Sequence, residues 1–403
     1  MKESSVWSVT GPLEEYASGY RQELSRLGYS PWTALAHMHL MAHVSRWLGD
    51  GGVAPADFGD ARIGQFLVDR RASGQVRRLT PRGLIPLLGF LRELGVVPAQ
   101  VVPVPDSPQA RLLEEFVGYL RGERGLSERT IVGYRRVAGS FLSACACKVN
   151  SDAPAGVEAS EVHAFVLGEC AHRSIGSANN VVTALRALLR FLYLHGHIAA
   201  QLADVVPSVA TWRDGGKSKD LGDGEGALLL AACDLDSAAG LRDFAILTVL
   251  ARLGLRANEV ASLSLDDVHW RAGELVVAGK GNRHDRLPLP VDVGQALADY
   301  CQRARPLQGC RALFVNVRAP YTALSSTAVS SVVLRACLRA GIEPFRAHRL
   351  RHATASAMRR AGAPLVEIGQ VLRHCHAVTT AVYAKDDLDA LTAIARAWPG
   401  GQP

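Results

Sequence analysis

One helical pattern occurs twice, and this limits the chain more than any other feature. Apolar residues recur at helical spacing through residues 12–95 and again through 111–198. The first copy reads PLEEYASGYRQELSRLG, WTALAHMHLMAHVSRWLGDGG, GDARIGQFLVDRRASG and PRGLIPLLGFLRELG. Gly28 to Pro31 separates its first two helices, with Ser30 placed as an N-cap and Pro31 at the first helical position. The second copy reads LLEEFVGYLRGERG, TIVGYRRVAGSFLSACA, EASEVHAFVLGECAHRS and SANNVVTALRALLRFLYLHG. Gly28-Tyr29-Ser30 aligns with Gly125-Leu126-Ser127, and Phe66-Leu67-Val68 with Phe165-Val166-Leu167. Leu87 to Leu91 aligns with Leu188 to Leu192. Any two four-helix units share such a pattern in outline. An offset of about one hundred residues, held through three landmarks, favours duplication of one unit.

Two linkers divide the chain. Val96 to Pro108 is proline-rich and reads as extended, whereas Pro207 to Gly226 is polar and glycine-rich. The expected domains are therefore 1–100, 108–207 and 221–403. In the last, helices alternate with one short strand pair: Glu274 to Val277 and Arg286 to Leu289, turning through Gly279 to His284. A final amphipathic helix is expected after Tyr383, with Leu388, Leu391, Ile394, Ala395 and Trp398 on one face. The expected fold class is mainly α with a small β-hairpin.

Bulk properties exclude several classes. No apolar run approaches the length that spans a bilayer, and the N-terminus lacks the apolar core of a secretory signal, so a cytoplasmic location is expected. The eight cysteines form no CxxC pair and suggest neither a disulfide framework nor a zinc site. A net charge of +7 is compatible with a polyanionic partner without requiring one. Lysines are few, which draws attention to Lys280.

The chemistry concentrates between His348 and Tyr383. A helix starting near Phe345 would put His348, Arg351 and His352 on one face, with Leu350, Ala353 and Ala357 covering the other. His374 and Tyr383 follow. Arginine grips phosphate through paired hydrogen bonds, histidine donates or moves protons near neutral pH, and tyrosine can act as a nucleophile. A phosphodiester suits that set. His348 and His352 also match half of a helical zinc motif, but no glutamate follows the first histidine.

His348-x-x-Arg351-His352, His374, Thr379-Thr380 and Tyr383 together resemble the C-terminal motifs of the tyrosine recombinase (phage integrase) family. Leu253 to Val260 resembles the segment carrying that family's first catalytic arginine, here Arg256, and the acidic residue after it, here Glu259. Gly279-Lys280-Gly281-Asn282 resembles its lysine hairpin. The resemblance covers roughly the C-terminal third of the chain. It departs at Arg373, where many members have glycine, and at Cys375, where serine is common.

The resemblance implies attack of Tyr383 on a DNA phosphate to give a 3′ phosphotyrosine and a free 5′ hydroxyl. Arg256, Arg351 and His374 would stabilise the five-coordinate phosphorane. Lys280 would protonate the leaving oxygen, and His348 would act as an acid–base and phosphate-binding group. Glu259 and His352 would position their neighbours. No cofactor and no metal are implied. The second helical unit resembles a core-binding (SAM-like) domain, in which Arg121, Arg124, Arg129, Arg135 and Arg136 would meet phosphates, joined by Lys217 and Lys219 in the linker. The first unit would be its duplicate. The implied partners are double-stranded recombination sites, further copies of the chain as a tetramer on two sites, and other recombinases of the same mobile element. A chromosome-dimer resolvase, a type IB topoisomerase-like nicking-closing enzyme and a catalytically silent DNA-binding accessory protein are the alternatives.

Overall fold

The computed structural model describes residues 8–74, 80–99, 107–145, 156–209, 221–222, 224–279, 284–307 and 309–373. The chain divides into two compact units, one formed by Gln100–Gly215 and the other by the remaining residues.

Before the first linker lie α1 (Ala17–Arg26), α2 (Pro31–Asp50), α3 (Asp60–Ala72) and α4 (Ile85–Glu93). Ser30 caps α2 by accepting from the Thr33 backbone N–H, with Pro31 at the first position, where its missing N–H costs nothing. Tyr20, Leu24, Met41, Leu48, Phe58 and Leu87 fill the core between these helices.

The unit Gln100–Gly215 builds four helices in the same order. They are α5 (Pro108–Gly122), α6 (Glu128–Ala144), α7 (Ala159–Cys170) and α8 (Ile175–Leu194). Phe116, Phe141 and Phe191 are fully enclosed in their core. Ser127 precedes α6 as Ser30 precedes α2. Within the described residues, the two segments thus repeat the helix order that the sequence pattern suggested.

The C-terminal segment contains α9 (Glu225–Ala231), α10 (Ala238–Leu253), α11 (Ala257–Ser262), α12 (Val291–Arg303), α13 (Ser326–Ala340), α14 (Ala347–Arg360) and α15 (Leu365–Val371). A three-stranded antiparallel sheet, ordered β1 (Val268–His269), β2 (Glu274–Ala278) and β3 (His284–Pro288), lies between α11 and α12 in sequence. Leu275 and Val277 of β2 alternate into the core, and Val277 pairs with Asp285. The expected hairpin is present, with β1 as an addition that the sequence pattern did not reveal.

Helix α10 runs through the middle of this core, and most of its residues are buried. Its start is fixed by Ser237, whose Oγ accepts from the Gly240 N–H at 3.0 Å. A Cβ on Gly240 would stand 1.8 Å from the Asp234 carbonyl oxygen, so the turn entering α10 admits only glycine. Its other end, Leu253, leads directly into Arg256. We expect Gly240→Ala to destabilise the protein by about 1–3 kcal/mol, the usual cost of overpacking against backbone, read as an earlier midpoint in a urea titration.

Candidate functional site

Two chain reversals and one helix build the site. At the first reversal, α10 ends at Gly254, which adopts φ +57°. A Cβ there would approach Leu372 Cδ2 to 2.8 Å, so glycine serves both the left-handed turn and the close packing. Arg256 follows as the N-cap of α11, with its side chain 40% exposed. Glu259, one turn on, reaches back to this cap. Its Oε2 accepts from the Arg256 backbone N–H at 2.8 Å, and its Oε1 accepts from Arg256 Nη1 at 2.7 Å. The backbone contact is half of a capping box. The side-chain contact fixes the guanidinium.

Helix α14 supplies the second group. Arg351 is fully buried, its Nη1 donating to the Gly254 carbonyl at 2.6 Å and its Nη2 to the Leu372 carbonyl. Thr354 adds a hydrogen bond to the Ala251 carbonyl at 2.9 Å. His348 and His352, one turn apart, meet edge to face with ring centroids 4.5 Å apart. The expected division of the helix, with Leu350, Ala353 and Ala357 covering the side opposite Arg351, needs correction. Leu350 is buried, but Ala357 is exposed, and Arg351 is enclosed more completely than either. The helix turns its arginine toward the ends of α10 and α15, where carbonyls left over by both helices need donors.

The second reversal ends α15. Arg373 adopts φ +54° and is the one described non-glycine residue with positive φ. Its Nη2 donates to Glu259 Oε2 at 2.7 Å, and its Nε lies 4.0 Å from Asp285 Oδ2 on β3. The sequence marked Arg373 only as a departure from the family pattern. Its contact with Glu259 spans the long separation between α11 and the end of α15, which no local pattern reports.

The electrostatics follow from these contacts. Burial alone would push the Glu259 carboxyl up. The hydrogen bond from the Arg256 backbone and the charges of Arg373 and Arg256 outweigh it and hold the carboxyl below its ordinary value. His348 keeps an exposed edge, yet the protein around its ring strips part of its water. That loss, with the positive charge of His352, Arg351 and Arg256, holds its imidazole below the usual histidine range. A neutral imidazole beside fixed guanidinium charges can accept a proton or bind an oxyanion through its ring N–H. Among the described residues, no three His, Cys, Asp or Glu side chains gather to hold a metal ion.

Arg256, Glu259, His348, Arg351 and His352 therefore belong to one constellation. Lys280, His374, Tyr383, Lys217, Lys219 and the expected C-terminal helix lie outside the described residues. All five arginines expected to meet phosphates are exposed, and of these Arg121 pairs with Glu128 at 2.6 Å and Arg135 with Glu114 at 2.5 Å. Exposed pairs of this kind stabilise little and yield readily to another anion.

Residues 223–389 match the model of the phage integrase family. The chain is 37% identical over 395 residues to a protein of Sinorhizobium fredii named as an integrase/recombinase, y4rA, covering 97% of this chain and 95% of the relative. It is 29% identical to the tyrosine recombinase XerD of Listeria monocytogenes, covering 68% of this chain and 93% of XerD. The fold is shared with a crystal structure of the XerH site-specific recombinase bound to palindromic difH substrate, with a TM-score of 0.56 at 19% identity over 82% of this chain and 93% of that one. The chain belongs to the phage integrase family of tyrosine recombinases.

The Glu259 carboxyl gives a pH-dependent prediction. Its folded value is depressed, so its contribution to stability is complete above the ordinary value of 4.5 and is lost as the pH falls through the folded value. Glu259→Gln should cost on the order of 2 kcal/mol at pH 7, because it leaves two guanidinium groups without their shared anion. The gap between variant and parent should close as the pH falls below about 4.5 in a series of denaturant titrations.

Proposed function

We infer that this chain is a site-specific DNA recombinase or integrase that cuts and rejoins DNA through a 3′ phosphotyrosine. The grouping of a part-exposed Arg256, held by Glu259, with His348 and the buried Arg351 carries the reading. It sets fixed positive charge and a near-neutral imidazole together, as a phosphorane requires. Such preorganised charge is usually the largest contribution to catalysis, with each donor worth about 3 kcal/mol. Tyr383 is the nucleophile, Lys280 the acid for the leaving 5′ oxygen and His374 a further donor to the phosphate. His352 holds His348 edge to face. The exchange of one phosphodiester for another conserves bond energy, so the reaction needs neither a nucleotide nor a metal.

The DNA partner is a double-stranded recombination site. Residues 108–207 form its core-binding domain, residues 221–403 the catalytic domain, and residues 1–100 a duplicate of the core-binding unit. Arg121, Arg124, Arg129, Arg135 and Arg136, with Lys217 and Lys219, track the phosphates. Two sites and four strands call for four copies of the chain. A role in moving a mobile element is favoured over chromosome-dimer resolution by length. A XerD fits within 68% of this chain, whereas y4rA matches 97% of it. The first helical unit is thus extra to what a resolvase of that kind contains. Such an enzyme works in the cytoplasm.

Tyr383→Phe should abolish the covalent protein–DNA adduct on a nicked suicide duplex. DNA affinity should change less than about twofold, since affinity comes from phosphate contacts spread over the protein. An adduct formed by the Phe variant would remove Tyr383 from the role. Unaltered DNA binding with no adduct from the parent chain would instead identify a silent accessory protein.

Lys280→Ala should slow cleavage of an ordinary duplex by about 100-fold or more, the usual range for a general acid. The loss should be much smaller when the 5′-bridging oxygen is sulfur, which leaves without a proton. Equal losses on both substrates would exclude Lys280 as the acid.

A further inference from the structure

We propose that Arg373 is a positioning residue that ties the segment entering His374 to Arg256 through the shared carboxylate of Glu259. The proposal rests on the recombinase reading above and assigns to this chain a device of its own.

The geometry is specific. Glu259 Oε2 accepts two hydrogen bonds, from the Arg256 backbone N–H at 2.8 Å and from Arg373 Nη2 at 2.7 Å. Its Oε1 accepts from the Arg256 guanidinium at 2.7 Å. The side chains of Arg373 and Glu259 are only 7% and 6% exposed, so water screens the pair little. Arg256 is thereby anchored at both backbone and guanidinium by a carboxylate that Arg373 anchors in turn.

A second contact widens the link. Arg373 Nε is buried without a hydrogen-bond partner, and Asp285 Oδ2 stands 4.0 Å from it on β3. This strand begins four residues after Lys280 in the sequence. A buried N–H so close to a carboxylate gains if the hairpin moves inward by about an ångström to hydrogen-bonding distance. Arg373 therefore stands between the cap of α11, where it bonds Glu259, and β3, where it approaches Asp285.

The backbone argues that the side chain is what matters here. At φ +54° arginine is disfavoured and glycine is at ease. If the position served only to turn the chain, Arg373→Gly would keep or raise stability and leave cleavage unchanged. If Arg373 positions Arg256 and the approach to His374, the same variant would lose rate.

The test uses the full chain and a nicked duplex bearing the sequence that the parent protein enriches from a randomised pool. Arg373→Gly should lower the single-turnover rate of adduct formation by about tenfold or more, a loss of alignment and not of binding. Its DNA dissociation constant and melting temperature should stay near those of the parent. Arg373→Lys, which keeps a charge for Glu259, should recover part of the rate. In a Glu259→Gln background, replacing Arg373 by Gln should cost far less than it does alone, since the two act through one contact.

A parent-like rate for Arg373→Gly would overturn the proposal, and so would additive losses in the Glu259 and Arg373 pair. If Arg373→Gly melts early, the additivity of that pair decides. No adduct from the parent on any enriched duplex would defeat the recombinase reading itself, and this proposal with it. An adduct from the parent alongside an indifferent Arg373 would defeat only the proposal.

Discussion

The arrangement of this site depends on one buried guanidinium. Arg351 has no exposed surface, and its two terminal nitrogens donate to carbonyls at the ends of two different helices. Removing an arginine from water is costly unless its donors are used, and charge-assisted bonds to backbone oxygen are among the stronger hydrogen bonds. The carbonyls of Gly254 and Leu372 are available because each lies where a helix stops. Arg351 therefore holds together the two reversals from which Arg256 and Arg373 emerge. The close approach this requires explains why Gly254 lacks a side chain: a Cβ would press on Leu372 at 2.8 Å.

From that junction the charges follow. Glu259 is placed between Arg256 and Arg373, and its negative charge is matched by both. Arg351 adds a further cation close by, and loss of water around the His348 ring, together with the charges of His352, Arg351 and Arg256, makes it hold its proton less tightly than an ordinary histidine. A site with this surplus of positive charge is strained electrostatically until an anion arrives. On the recombinase reading proposed above, a phosphate would bring the missing charge and a phosphorane more of it, so that one field would favour both binding and activation.

The fold was legible where the signal was local. Period and capping located the long helices, and the strand pair around 279–283 followed from two apolar runs and a glycine turn. Helix α11 was missed because its six residues are too few for a period to register. The inward turn of Arg351 was not legible because arginine is rarely enclosed unless it is paired, so it was read as sharing the face of the two histidines. It is fully buried instead, while Ala357 is exposed. Arg256, Glu259, His348, Arg351 and His352 were legible as a set only through family resemblance. Separately, each resembles a surface residue of an ordinary helix.

Arg373 was the least legible, and energetics explain why a chain would nevertheless keep it. An L-residue in the left-handed region costs about 1–2 kcal/mol. A hydrogen bond between a buried guanidinium and a carboxylate contributes about 1.5–3 kcal/mol net. The contact with Glu259 therefore offsets the backbone cost with little left over. A residue whose strain and contact nearly cancel does little for global stability, so selection for folding alone would settle on glycine as readily. What differs between the two choices is order. With glycine the segment turns freely, whereas with arginine it is tied to the carboxylate that holds Arg256.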